Sequence, residues 1–142
     1  MPIGPEQIIV DAGPLIALSR AKDQRHMECL RALQALSAGT RIVTTVSVLA
    51  EVFAVLPCTE RTVEAVRTLI FSIPIKLAYI EDSELERAFE LMNKYADLPM
   101  DFADAEVLVI AERIGIKTVF TLDRRDFSIY RPRHVRRLRI IP

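Results

Sequence analysis

The chain has 142 residues, 51% of them hydrophobic, with 19 Lys and Arg balanced against 19 Asp and Glu. That composition excludes a disordered chain and suffices for the core of one globular domain, expected over residues 1–142. The most apolar stretch, 43–56, carries Glu51, and the next, 69–80, carries Pro74 and Lys76, so neither reads as a membrane span. No basic segment precedes the first apolar run, so no secretory signal is read. Cys29 and Cys58 stand apart without CxxC spacing, which leads to the expectation of a soluble, cytoplasmic protein without disulfides. The zero net charge conceals an asymmetry: residues 1–123 carry 12 Lys and Arg against 18 Asp and Glu, and residues 124–142 carry 7 against 1. An acidic body with a basic end is suited to a cation in one place and a polyanion in another.

Residues 8–10 form a short apolar run ending at Asp11, and Ala12-Gly13-Pro14 opens a helix through Leu15 and Leu18, with the proline near its first turn. Residues 24–38 repeat apolar side chains at Met27, Leu30, Leu33 and Leu36 and stop before Gly39, which predicts an amphipathic helix with a glycine C-cap. A strand follows over 41–44. Thr45 is placed to cap a helix over 46–56 and Thr59 another over 60–71; 76–80 reads as a strand, and Asp82 as the cap of a helix running to about Tyr95. Residues 101–114 are helical in period and end at Gly115, 117–121 is a β-branched strand finishing near Asp123, and 138–141 supplies a last strand. Strands alternating with helices predict an α/β fold with a mostly parallel central sheet flanked by helices.

In open parallel sheets, ligands sit beyond the carboxyl ends of the strands, where Asp11 and Asp123 lie. Glu51 stands in VSVLAEVFAVL, where Ser47, one turn earlier, is the only other polar residue. No Lys or Arg occurs at i±3 or i±4, so Glu51 either reaches solvent or meets a metal or a distant Arg. Asp101 and Asp104 in MDFADA share a helical face through their i, i+3 spacing. Each acid also has a structural role open to it, Asp101 and Asp104 at a helix start and Asp11 and Asp123 in turns. The combination, rather than any one of them, points to a site. His26 and His134 lie outside the acidic segments, which argues against a zinc centre.

The segments IIVDAGPLIAL, TTVSVLAEVFAVL, DLPMDFADAEVLVIAER and VFTLDRRDFSIYR, in this order and spacing, resemble the PIN-domain family, and within it the VapC-type toxin ribonucleases of type II toxin–antitoxin systems. The resemblance spans most of the chain and is most specific from PMDFADA to LDRRDFSIYR. It implies a single PIN domain of three-layer α/β architecture and an endoribonuclease dependent on Mg²⁺ or Mn²⁺, hard cations that prefer oxygen ligands. By position it implies that Asp11, Glu51, Asp104 and Asp123 are catalytic. Asp11, Asp104 and Asp123 would be direct or water-mediated metal ligands, and Glu51 a ligand or the orienter of the attacking water. Asp101 is a further acidic member for which capping competes, Thr121 and Ser47 are supporting hydroxyls, and Asp126 is structural. The resemblance also implies an RNA substrate, a homodimer and a small antitoxin partner.

Arg124, Arg125, Arg131 and Arg133, followed by Arg136, Arg137 and Arg139, come close behind Asp123, with Phe127 and Tyr130 among them. One reading is an RNA-binding segment, arginines on phosphates and aromatics stacking an unpaired base. The other has Arg137 and Arg139 pointing outward from an edge strand, where charge blocks aggregation. A phosphotransfer receiver needs adjacent acids after its first strand, where IIVDAG offers one, and a DxD phosphatase needs an Asp where Gly13 stands. The remaining alternative is a non-catalytic PIN-like module that binds RNA or protein. The high apolar fraction also leads to the expectation of a partner surface.

Overall fold

A computed structural model describes residues 5–142; residues 1–4, part of the domain expected from the sequence, lie outside the described residues. Five short strands, β1 (Gln7–Val10), β2 (Arg41–Thr44), β3 (Lys76–Leu77), β4 (Thr118–Phe120) and β5 (Arg139–Ile141), form one sheet of order β3-β2-β1-β4-β5. Every pairing is parallel. A parallel strand covered on both faces needs an unbroken apolar run, and Ile8, Ile9 and Val10 of the central strand are buried accordingly. The edge strands open with exposed Lys76 and Arg139, charges that discourage further pairing.

Seven α-helices connect the strands: α1 (Ala12–Ser19), α2 (His26–Gln34), α3 (Val46–Val55), α4 (Glu60–Ser72), α5 (Leu85–Lys94), α6 (Phe102–Ile114) and α7 (Arg124–Ile129). The chain steps from β1 outward to β2 and β3, then returns to pair β4 with the other side of β1 before adding β5. Parallel strands joined by crossovers in opposite directions take helices on both faces, since such crossovers are as a rule right-handed. Helix α1 packs on α2, α3 and α4, and α5 packs on α6, which also reaches α3. The reversal falls between β1 and β4, and there the Asp11 N–H donates to the Phe120 carbonyl at 2.8 Å. The core centres on β1 and on α6, whose residues from Ala105 to Ala111 are all buried. Among the described residues no helix is long and apolar enough to cross a membrane.

The caps expected at Thr45 and Thr59 are present, each hydroxyl accepting an N–H three residues on. Several element ends differ from the sequence reading by one residue, and four differences have an identifiable cause. The helix expected over 24–38 is confined to α2 because the Asp23 carboxylate accepts the Arg25 N–H at 2.8 Å in a turn that delays its start. Its C-cap is Ala35, and Gly39, with φ +87°, serves the turn into β2 instead. The strand expected over 76–80 shrinks to two residues because β2 ends where Thr45 caps α3, leaving only the bond from Ala78 N–H to the Thr44 carbonyl, 2.8 Å, beyond it. Glu81 rather than Asp82 opens the next helix, exchanging bonds with Glu84 in a capping box around a short 3₁₀ turn.

Gly115 closes α6 at φ +81°, a left-handed conformation that a Cβ opposes. Gly115→Ala is therefore expected to lower the unfolding free energy by roughly 1–2 kcal/mol in urea denaturation, although no neighbouring atom obstructs the added methyl.

Candidate active site

Asp11 is the first residue past β1 and the N-cap of α1. Its Oδ1 accepts the Ala12 N–H at 2.8 Å, and its Oδ2 accepts the Thr121 hydroxyl at 2.8 Å. Thr121, fully buried just past β4, in turn accepts the Asp123 N–H on its own oxygen at 3.0 Å. One threonine thus ties together the ends of the two strands that flank the point of reversal. Asp123 caps α7, its Oδ1 accepting the Asp126 N–H at 3.2 Å. Asp101 caps α6, its Oδ1 accepting the Asp104 N–H at 2.8 Å. Asp104 sits in that first turn, and its Oδ2 accepts the hydroxyl of Tyr130 at 3.0 Å. Glu51 approaches from the middle of α3, half-buried.

The five carboxylates share one electrostatic environment. Burial is the largest influence on Asp104, and the nearby charges of Asp101 and Asp11 add to it, pushing its carboxyl up to about 8 against the Tyr130 hydrogen bond. Asp11 is raised by burial, a rise moderated by its bonds from Ala12 and Thr121. Glu51 is raised by burial and then by Asp11, Asp101 and Asp123. Asp123 is raised by burial, with its bond from the Asp126 N–H opposing. Among the described residues no Lys, Arg or His forms an ion pair with any of the five. The repulsion is left for something outside the protein to relieve.

The donor set is oxygen only, which suits a hard divalent cation. No three described Asp, Glu, His or Cys side chains close tightly enough to form a cage. Such a donor set needs no closed cage for an ion such as Mg²⁺, which keeps several waters and takes few carboxylates directly. It does not suit zinc: a His26 ring nitrogen is bonded to the Ala17 carbonyl and His134 Nε2 to that of Ile116. Glu106, two residues beyond Asp104 on α6, is turned by helical geometry to the far side of that helix and is buried there, its Oε2 unpaired.

Ser47 is half-buried and makes no hydrogen bond among the described residues. The arginines expected to bind RNA divide. Arg124 and Arg125 are exposed in the first turn of α7, beside Asp123, with Arg124 donating to the Pro142 carbonyl. Arg131 is committed to the protein, its Nη1 donating to the carbonyls of Ser128, Ile129 and Tyr130 at the end of α7. Arg133 pairs with Glu90 at 3.4 Å. Phe127 and Tyr130, read from the sequence as base-stacking aromatics, are 0% and 1% exposed and face the core. Their apolar burial outcompetes any role in solution. The link between Tyr130 and Asp104 spans 26 residues and left no local signal in the sequence.

Residues 8–131 match the PIN domain family model. Over 138 residues the chain is 30% identical to Ribonuclease VapC26 of Mycobacterium tuberculosis, covering 95% of this chain and all of that protein. The crystal structure of Mycobacterium tuberculosis VapC20, described as a sarcin-ricin loop cleaving toxin, superposes with a TM-score of 0.75 at 25% identity, covering 91% of this chain and 98% of that one. A structure of VapBC-1 from nontypeable Haemophilus influenzae shares the fold, with a TM-score of 0.62 at 16% identity over 86% of this chain and 90% of that one.

The raised carboxyls set the pH dependence of the metal-free protein. Folded Asp104 holds its proton up to about 8, whereas the unfolded chain releases it near the ordinary aspartate value of 3.8, so the folded state binds more protons in between. Stability in a chelating buffer is expected to be greatest below pH 4 as far as this group is concerned and to fall as pH rises to 8. Asp104→Asn should flatten that decline and raise the melting midpoint at pH 8 by roughly 5 °C in thermal scans.

Proposed function

The chain belongs to the PIN-domain family, and from that premise we propose that it is a metal-dependent endoribonuclease, the toxin of a toxin–antitoxin pair, with residues 1–142 as its single catalytic domain. The observation that carries the reading is the gathering of Asp11, Glu51, Asp101, Asp104 and Asp123, which feel one another's charge and, among the described residues, form no ion pair with a Lys, Arg or His. The ribonuclease relative and the RNA-cleaving structural neighbour support RNA as the substrate.

Asp11, Asp104 and Asp123 would hold Mg²⁺ or Mn²⁺, with Asp101 as a weaker member. When bound, such an ion supplies a Lewis acid that makes water a nucleophile at neutral pH and offsets charge on the phosphate. Thr121 keeps Asp11 and Asp123 in fixed relation through its two hydrogen bonds. Glu51, raised by burial and then by its acidic neighbours, is suited to orient the attacking water and accept its proton, with the Ser47 hydroxyl one turn away on the same helix. Attack on phosphorus breaks the bond to the 3′ oxygen, leaving a 5′ phosphate and a 3′ hydroxyl. Arg124 and Arg125 are the arginines best placed to meet the substrate's phosphates.

The same reading includes a homodimer and a small antitoxin. Exposed Val46, Leu77, Tyr79 and Phe89 support a covered surface, since side chains this apolar gain by leaving water. Action in the cytoplasm, where RNA is met, accords with the two free thiols, Cys29 and Cys58.

Purified protein is expected to cut total cellular RNA into discrete fragments with Mn²⁺ or Mg²⁺, with no cleavage in EDTA. Asp11→Asn should retain less than roughly a hundredth of the rate. Equal behaviour of wild type and Asp11→Asn across metals and RNA classes would remove the catalytic assignment. Replacing Arg124 and Arg125 together by Ala should raise KM several-fold and reduce the salt dependence of RNA affinity by about one to two released ions, read from log Kd against log salt.

A further inference from the structure

We infer that Tyr130 is a positioning residue for Asp104: its buried hydroxyl holds one carboxylate oxygen so that the other is presented to the acidic site. The inference rests on the nuclease reading above and adds to it a residue that never touches substrate.

The Tyr130 hydroxyl donates to Asp104 Oδ2 at 3.0 Å, and Oδ1 has no hydrogen-bond donor among the described residues. A first-turn aspartate ordinarily turns to a backbone N–H or to water. Asp104 does neither through Oδ2, because a phenol from a distant segment occupies it. That phenol cannot swing away. The ring is 1% exposed, lies 5.0 Å from the Tyr95 ring and meets Phe127 edge-on at 5.2 Å. The backbone beyond it is fixed as well, since the Arg131 N–H donates to the Tyr95 hydroxyl at 2.8 Å.

Position in the fold gives this contact its meaning. Asp123 caps one end of α7, and Tyr130 is the residue that ends the other. A single rigid turn-and-a-half of helix therefore carries Asp123 directly and grips Asp104 through the phenol, setting the spacing of two candidate ligands. Neighbours that orient a ligating carboxylate commonly change metal affinity or activity 10- to 100-fold when removed. The competing account is that a buried hydroxyl simply needs an acceptor and Asp104 happens to be it. The two accounts differ in what loss of the hydroxyl does to metal binding.

Tyr130→Phe keeps the packed ring and removes only the donor. It is expected to weaken Mn²⁺ binding to chelator-stripped protein by roughly 10-fold in calorimetry and to lower kcat similarly, with KM for RNA within about twofold. Thr59→Ala removes the cap of α4, a helix that carries none of the five acids, and should lower the melting temperature while leaving Mn²⁺ affinity and kcat as they are. Unchanged Mn²⁺ affinity and kcat in Tyr130→Phe overturn the inference, as does an equal loss in Thr59→Ala. An independent reading needs no altered tyrosine: the wild-type Tyr130 hydroxyl proton should appear by NMR as a slowly exchanging resonance that shifts in Asp104→Asn, and its absence or indifference counts against the assignment. A wild-type protein that neither binds Mn²⁺ nor cleaves RNA overturns the nuclease reading and this inference with it. A wild type that does both, beside an indistinguishable Tyr130→Phe, overturns the inference alone.

Discussion

Five carboxylates that repel one another must be held at one end of a sheet, and the parallel topology is what holds them. In such a sheet every strand ends where the next helix begins, so strand C-termini and helix N-termini meet on the same side. Three of the five acids occupy helix N-caps: Asp11 on α1, Asp101 on α6 and Asp123 on α7. Capping and site formation, which look like rival explanations for each residue taken alone, are therefore one arrangement. The cap fixes one oxygen on a backbone N–H, and the positive end of the helix dipole offsets part of the charge. The carboxylates are individually stabilised by their helices and collectively destabilised by each other.

Asp11 and Asp104 both stand inside that conflict. Asp11 is buried, and Asp104 is raised by burial and then by the charges of Asp101, Asp11 and Asp123 together. The fold offsets the strain with apolar packing immediately beneath: from Ala105 to Ala111 α6 is buried on every side, in a core shared with the central strand, which is buried from Ile8 to Val10. Burial of this kind contributes about 25 cal/mol for each Å² removed from water. The acidic end is thus carried by the most deeply buried helix of the molecule, which also limits how far Asp104 can retreat from its neighbours.

Much of this was legible in the sequence because the signals are local. Asp11 follows an apolar run, Thr45 and Thr59 precede helical periods, and Gly115 follows one, so each announces an element end within a few residues. Glu51 was conspicuous as an isolated charge on an apolar helix. What escaped notice depended on competition or on distance. Glu81 and Asp82 are adjacent acids, and only the reach of Glu84 back to the Glu81 N–H decides which of them caps. The periodicity over 24–38 overstates its helix because the Asp23 turn competes for the same backbone. Arg131 and Arg133 look like their neighbours Arg124 and Arg125 in a run of basic residues, and differ because carbonyls at the end of α7 and Glu90 happen to lie within reach. Tyr130 looks like a base-stacking aromatic because nothing in RRDFSIYR reports that Asp104 waits across the fold.

The distribution of cations then explains how a neutral chain presents an acidic site. The arginines of the last nineteen residues balance the formal charge, yet none of them forms an ion pair with the five carboxylates. Arg139 lies 3.9 Å from Glu6 at the opposite end of the strands, and Arg133 is spent on Glu90. Had one guanidinium reached Asp104 or Asp123, it would have relieved the repulsion permanently and removed the reason for a metal to bind. Leaving these acids without an ion pair keeps the site open to whatever positive charge arrives from outside. On the proposed reading, a divalent ion and a basic side chain of an antitoxin are alternative occupants of the same acidic end. Binding of one must weaken the other by an equal free energy, so inhibition by competition for charge needs no change in fold.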